Sequence, residues 1–361
     1  MSLGKLTVNG REDGFLCDGK PFFWFADTCW SAFTSITEAD WDYYLTRRAE
    51  QGMNVLQVNT LPQWDRCLPD LGIWPYASED GVHFDWSAPN QEYWDRARRM
   101  CQAAVEHGIR PALVLMWCNY VPGTWGAKIA ERCGAEVMPR EEVRAHVARV
   151  VENLGEFDPV YVVTGDTDFA GDEAIVYYED ALDEVVKRAP EALRTMHINR
   201  GNRTIPAQYL GRLDFYMFQP GHNYEGQPEA WRLPQDFIAN YPKKPMVNSE
   251  PCYEQMGASR NVYWRFTAQD CRASVWSSIL AGASAGVTYG AHGVWNWQTS
   301  RSQGSVLGEG FDMPFRWQEC LQFAGVWDFG AIEHVLASLG ATAGDDALAV
   351  VPAQELLDDA R

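Results

Sequence analysis

The chain has 361 residues, 46% hydrophobic and 22% charged, which is enough to bury a large core and excludes a disordered polyelectrolyte. Its 49 acidic and 30 basic residues give a formal charge of −19, which repels phosphate backbones and anionic lipid, so neither nucleic acid nor a membrane is an expected partner. No apolar run approaches the roughly 18 residues of a spanning helix, and the opening MSLGKLTVNGREDG has no apolar leader segment.

Nine cysteines lie at 17, 29, 67, 101, 118, 133, 252, 271 and 320, an odd number with no CxxC, several of them inside apolar runs. This usage fits buried thiols in a reducing compartment, and a cytoplasmic location is the expectation.

In chain order, a helix with apolar residues at three- and four-residue spacing, a closing Gly and a short apolar run recur as one βα grammar. Thr37 with Asp40 opens the first helix, Trp41, Tyr44 and Leu45 share a face, and Gly52 precedes the run 54–58. Trp94, Ala97, Cys101 and Ala104 repeat the pattern up to Gly108 and the run 109–116. A third unit passes through Val143, Val147, Val150 and Leu154 to Gly155 and the run 160–163.

With the runs 22–26, 194–198, 215–218, 245–247 and 286–289, the strands number eight, which predicts a (β/α)8 barrel. A doubly wound sheet would place a Gly-rich phosphate loop after its first strand, where this chain has Asp27-Thr-Cys-Trp30. One barrel over 1–335 and a short extension over 336–361 complete the expected organisation.

Most runs end on a polar or ionisable residue: Asp27, Asn59, Asn119, Asp166, His197 with Asn199, Gln219, Glu250 and His292. In a barrel these strand ends share one face, where catalysis is done. The long, aromatic-rich loops 61–90 and 293–312 would wall a cleft there. Asp166 ends the fourth strand and Glu250 the seventh, the two positions at which retaining barrel glycosidases carry acid/base and nucleophile. Glycoside hydrolysis needs such a pair, one carboxyl protonated and the other ionised. Asp168 is the second candidate for the acid.

The chain resembles the apiosidase-like glycoside hydrolases through Gly19-Lys-Pro-Phe-Phe-Trp-Phe-Ala-Asp-Thr-Cys-Trp30, Arg47-Arg-Ala-Glu-Gln-Gly-Met-Asn-Val-Leu-Gln57, Gly165-Asp166, Phe218-Gln-Pro-Gly-His222 and Asn248-Ser-Glu-Pro-Cys-Tyr-Glu254. The resemblance runs over about residues 5–335. It implies a retaining, exo-acting glycosidase of plant-type oligo- or polysaccharides, with Asp166 as acid/base and Glu250 as nucleophile.

Sugar recognition calls for aromatic platforms and fixed polar groups. Trp30, Trp117, Trp295 and Trp297 follow strand ends, whereas Trp41 and Trp94 sit on apolar helix faces and read as core. Asp27, Gln57, Asn59, Asp168, His197, Gln219, His222, Tyr253 and His292 are the polar candidates, with Glu254 a third carboxyl beside Glu250. A metal-dependent barrel hydrolase would gather His197, His222 and His292 around a cation, but no HExxH occurs, and the first strand ends Phe25-Ala-Asp27-Thr rather than His-x-His. A non-catalytic carbohydrate-binding protein on the same scaffold is the other rival, against which both carboxyl groups count. No cofactor and no metal are expected.

Overall fold

The computed structural model describes residues 3–259, 262–300 and 312–353. Eight parallel strands form one sheet: β1 Trp24–Thr28, β2 Val55–Asn59, β3 Arg110–Trp117, β4 Val160–Gly165, β5 Arg194–Thr195, β6 Tyr216–Phe218, β7 Met246–Asn248 and β8 Gly286–Tyr289. Each strand pairs with its neighbour in sequence except β5 with β6, and β8 pairs back onto β1, so the sheet curls into a nearly closed (β/α)8 barrel. The seam between β5 and β6 is bridged by Asp214 N–H donating to the Arg194 carbonyl at 3.0 Å and Thr195 Oγ1 donating to the Phe215 carbonyl at 2.7 Å.

The helices α1 Glu38–Glu50, α2 Gln91–Glu106, α3 Arg140–Leu154, α4 Asp172–Arg188, α5 Ala207–Leu210, α6 Glu229–Asn240 and α7 Ala268–Leu280 follow the first seven strands, with shorter helices Gly325–Gly330 and Ile332–Ser338 after β8. Their starts are set locally. Thr37 accepts from Asp40 N–H at 3.2 Å, and Thr267 and Asp270 cap each other reciprocally. Gly52 and Gly108 take left-handed φ of 87° and 81° where α1 and α2 turn back to the sheet. After α3 that conformation falls to Asp158, φ 48°, rather than to Gly155, and Arg110 holds the Asp158 carboxylate at 2.6 Å. Among the described residues no helix is long and apolar enough to cross a membrane.

All eight runs read from the sequence are barrel strands, several with ends displaced by one or two residues, and the first and the fifth differ for a structural reason. The first begins at Trp24 rather than at 22, because Lys20–Phe22 belongs to a small antiparallel sheet with Leu6–Val8 and Phe15–Cys17, which the periodicity did not resolve. That sheet closes the barrel base, its Phe15 ring packing edge-on to Phe215 at 5.1 Å and against Trp24 at 6.1 Å. The fifth strand ends at Thr195, and Ile198 keeps only a bridge to Thr167.

Alternation along β1 corrects one expected site residue. Trp24, Ala26 and Thr28 point into the barrel, so Phe25 and Asp27 point out, Phe25 onto Phe329 and Asp27 onto α1. Asp27 is fully buried there, accepting from Arg48 Nε at 2.7 Å and Tyr44 Oη at 2.8 Å, while Arg48 also donates to Gln51 and lies over the Tyr44 and Tyr289 rings. It ties helix to barrel and does not reach the mouth. Removing one partner of a buried pair strands the other charge, so Arg48→Met should lower stability by about 3–5 kcal/mol, and the Asp27→Leu/Arg48→Met double variant should recover much of it. Denaturant unfolding of the three proteins checks this, and equal losses in single and double variants would refute it.

Candidate active site

A cavity of about 630 Å³ opens at the C-terminal mouth of the barrel, within the usual size of ligand sites. Asp166 and Glu250 both line it, with Gln219, His222, Tyr253, Trp30, Trp117 and Trp295.

Glu250 is fixed before its side chain is considered. Ser249 N–H donates to the Phe218 carbonyl at 2.9 Å, and the Ser249 carbonyl accepts from Gln57 Nε2 at 3.0 Å, so the peptide preceding Glu250 is clamped inside the barrel. Its carboxylate then meets two imidazoles. His222 Nε2 is 2.7 Å from Oε1, and His197 Nε2 is 3.1 Å from Oε2, though off the line of an ideal hydrogen bond. His197 Nδ1 accepts the Asp166 backbone N–H at 3.1 Å, which leaves the ring proton on Nε2, facing the carboxylate. The His197 ring is itself packed by Trp30 and Trp117, each 5.6 Å away. Tyr253 completes this end. Its hydroxyl accepts from Trp30 Nε1 at 3.1 Å, and its ring lies 4.1 Å from that of His222.

Asp166 follows Gly165, where a Cβ would fall 2.2 Å from the Trp117 ring, and the chain turns there with a left-handed φ of 52°. Asp adopts that conformation more readily than most residues, and such backbone clusters at functional sites. Three bonds hold the turn: the N–H to His197, the carbonyl accepting from Trp125 Nε1 at 2.8 Å, and Oδ1 accepting from Gln219 Nε2 at 2.5 Å.

These surroundings push the two carboxyl groups apart. Burial and then the Glu250 charge raise Asp166 well above the carboxylate range, against the hydrogen bond from Gln219. Burial would raise Glu250 as well, but the Nε2–H of His197 and the hydrogen bond and charge of His222 outweigh it and hold Glu250 at about 2. The two environments favour the protonated form of Asp166 and the ionised form of Glu250, the division of labour that acid-assisted displacement requires.

Asn199 also lines the cavity, whereas the remaining residues singled out from the sequence lie outside it. Gln57 spans the barrel interior from the Ser249 carbonyl to Thr288 Oγ1, and Asn59 donates to Gln63. Asp168 accepts from Ala170 N–H at 3.3 Å and caps its own loop. Glu254 points outside the barrel wall, accepting from Tyr289 Oη at 2.6 Å and Gly325 N–H at 3.0 Å. Trp297 stacks on Trp317 at 4.4 Å in the outer core. His292 accepts from Trp295 Nε1 at 3.2 Å and so supports a cavity residue from behind. Of the loop 293–312, residues 301–311 lie outside the described residues, as do 354–361 of the expected extension. Among the described residues no three His, Cys, Asp or Glu side chains gather as a metal site.

The cavity also holds residues that the sequence reading passed over: Gln63, Trp64 and Asp65 after β2, Trp125 and Ile129 after β3, Arg200 after β5, Asn223 after β6 and Met256 after β7. Loop 61–90, expected to wall the cleft, carries a Trp flanked by Gln and Asp, and that is the signal the sequence offers for them.

Residues 12–342 match the apiosidase-like catalytic domain. No curated protein sequence matches the chain. Among solved structures, one described as a glycoside hydrolase superposes with a TM-score of 0.73 at 23% identity, covering 93% of this chain and 75% of its own. A glycoside hydrolase family 5 protein from Bacteroides vulgatus ATCC 8482 gives 0.72 at 24%, covering 92% and 72%. A family 5 mannosidase from Rhizomucor miehei gives 0.60 at 14%, covering 91% and 97%. At such identities the structures speak for the barrel alone. With the domain match spanning nearly the whole barrel, the chain belongs to the apiosidase-like family and is a glycoside hydrolase acting on a carbohydrate.

Proposed function

We propose that the enzyme is a retaining, exo-acting glycosidase of plant-type oligo- or polysaccharide side chains, with Glu250 as nucleophile and Asp166 as acid/base. The observation that carries this reading is the opposite displacement of the two carboxyl groups within one cavity. Ionised Glu250 attacks the anomeric carbon while protonated Asp166 gives its proton to the departing oxygen, leaving a glycosyl ester on Glu250. Water then attacks that carbon, Asp166 takes back a proton, and Glu250 leaves as carboxylate. An exo mode is supported by the cavity lining, in which Trp30, Trp117, Tyr253 and Trp295, all buried, share the wall with Glu250.

A panel of aryl glycosides and plant oligosaccharides, run with two variants, tests these roles. Glu250→Ala should be inactive on every substrate. Asp166→Ala should lose about 10²–10⁴-fold on poor leaving groups, yet still be glycosylated by activated aryl glycosides and be rescued by azide to a glycosyl azide of retained configuration. Wild-type behaviour of Asp166→Ala, with this signature appearing in Asp168→Ala, would transfer the acid role to Asp168.

The pH profile supplies an independent check. In kcat/KM the enzyme must have Glu250 ionised and Asp166 protonated, so activity is lost below the Glu250 pKa and above that of Asp166. His222→Phe removes one of the bonds that depress Glu250, so its acid limb should move to higher pH while the alkaline limb stays in place. An unmoved acid limb would show that Glu250 is not the group titrating there.

A further inference from the structure

The two catalytic carboxyl groups are surrounded by different aromatic groups. Trp30, Trp117 and Tyr253 are connected to Glu250 through His197 and His222 and are almost wholly buried. Trp64 and Trp125 are half-buried and meet at a near right angle, 84° with ring centroids 6.5 Å apart. This corner belongs to the Asp166 side, because the Trp125 indole N–H holds the Asp166 carbonyl at 2.8 Å. All five aromatic residues line the same cavity, whose volume of about 630 Å³ lies well within the roughly 300–1,000 Å³ of sites for drug-sized ligands, larger than one sugar ring requires.

A general acid acts on the leaving-group oxygen, so side chains joined to Asp166 flank the departing group rather than the sugar that Glu250 attacks. We infer that Trp64 and Trp125 form a leaving-group subsite that takes a second sugar ring, its C–H face stacked in the corner between the two indoles. The inference rests on Asp166 being the acid. It makes the substrate at least a disaccharide at the scissile bond. It also makes Trp125 a double contact, its ring face on the leaving group and its N–H on the backbone of the acid that protonates it.

The test compares two substrates sharing the glycone that the panel identifies: its glycosyl fluoride, whose leaving group has no ring, and a disaccharide. Trp64→Ala should lower kcat/KM on the disaccharide by about ten-fold or more, the scale of a lost aromatic contact, and leave the fluoride within about two-fold, whereas Trp125→Ala, which also frees the Asp166 carbonyl, should lower both and the disaccharide by about ten-fold more. Trp125→Phe keeps the ring face and loses the N–H, so it should retain most of the preference for the disaccharide. In the Glu250→Gln background, saturation-transfer NMR should show the leaving-group ring in contact with protein, a contact that Trp64→Ala abolishes while the glycone signals persist. Equal losses of Trp64→Ala on fluoride and disaccharide, or no loss on either, overturn the subsite, as does a Trp125→Phe enzyme whose preference for the disaccharide over the fluoride falls as far as that of Trp125→Ala. None of these results alters the Glu250 and Asp166 assignment, which fails separately if Asp166→Ala lacks azide rescue.

Discussion

The catalytic face depends on one imidazole placed between two carboxyl groups. His197 accepts the backbone N–H of Asp166 with Nδ1 and therefore presents Nε2–H to Glu250, so one ring fixes the turn that carries the first carboxyl and favours the charge on the second. The Trp30 and Trp117 rings, packed side by side against it, limit its rotation, and the missing side chain of Gly165 lets Trp117 lie close enough to do so. Each part constrains the next: Gly165 admits Trp117, Trp117 packs His197, and His197 sets both carboxyl groups.

The barrel was legible because its signal is repeated and local. Helix caps such as Thr37, closing glycines such as Gly52 and Gly108, and apolar runs buried along their full length, as in β3 and β4, arise from backbone and solvation rules that act within a few residues. The expectation that Asp166 and Glu250 share a cavity had the same source, since every strand of such a barrel ends on one face.

Which side chains at that face turn inward was much less legible. Strand alternation sends Asp27 outward to Arg48, although it stands one residue before the inward Thr28, and a shift of a single residue in the assumed strand reverses the assignment. Glu254 and Trp297 lie in irregular segments where no period applies, and their partners Tyr289, Gly325 and Trp317 are 20 to 71 residues away in the chain. Trp64 and Trp125 were missed for the complementary reason. Their loops carry no periodicity, and only the folded chain brings them to one corner beside Asp166.

The proposed roles also explain why one arrangement can serve two chemical steps that need Asp166 in opposite states. Before reaction, the Glu250 charge helps to keep Asp166 protonated and able to act as an acid. Once Glu250 is an ester it carries no charge, and that repulsion vanishes. The bond from Gln219 to Oδ1 remains and favours the carboxylate, so the Asp166 pKa falls at the moment when a base is required to activate water. His197 and His222 complete the cycle on the other side. They stabilise the carboxylate that Glu250 becomes as it leaves, which makes it a better leaving group in the second step while the barrel clamp on Ser249 keeps its position for the first. Breakdown of the ester thus restores the charge that helps Asp166 keep the proton it has taken from water.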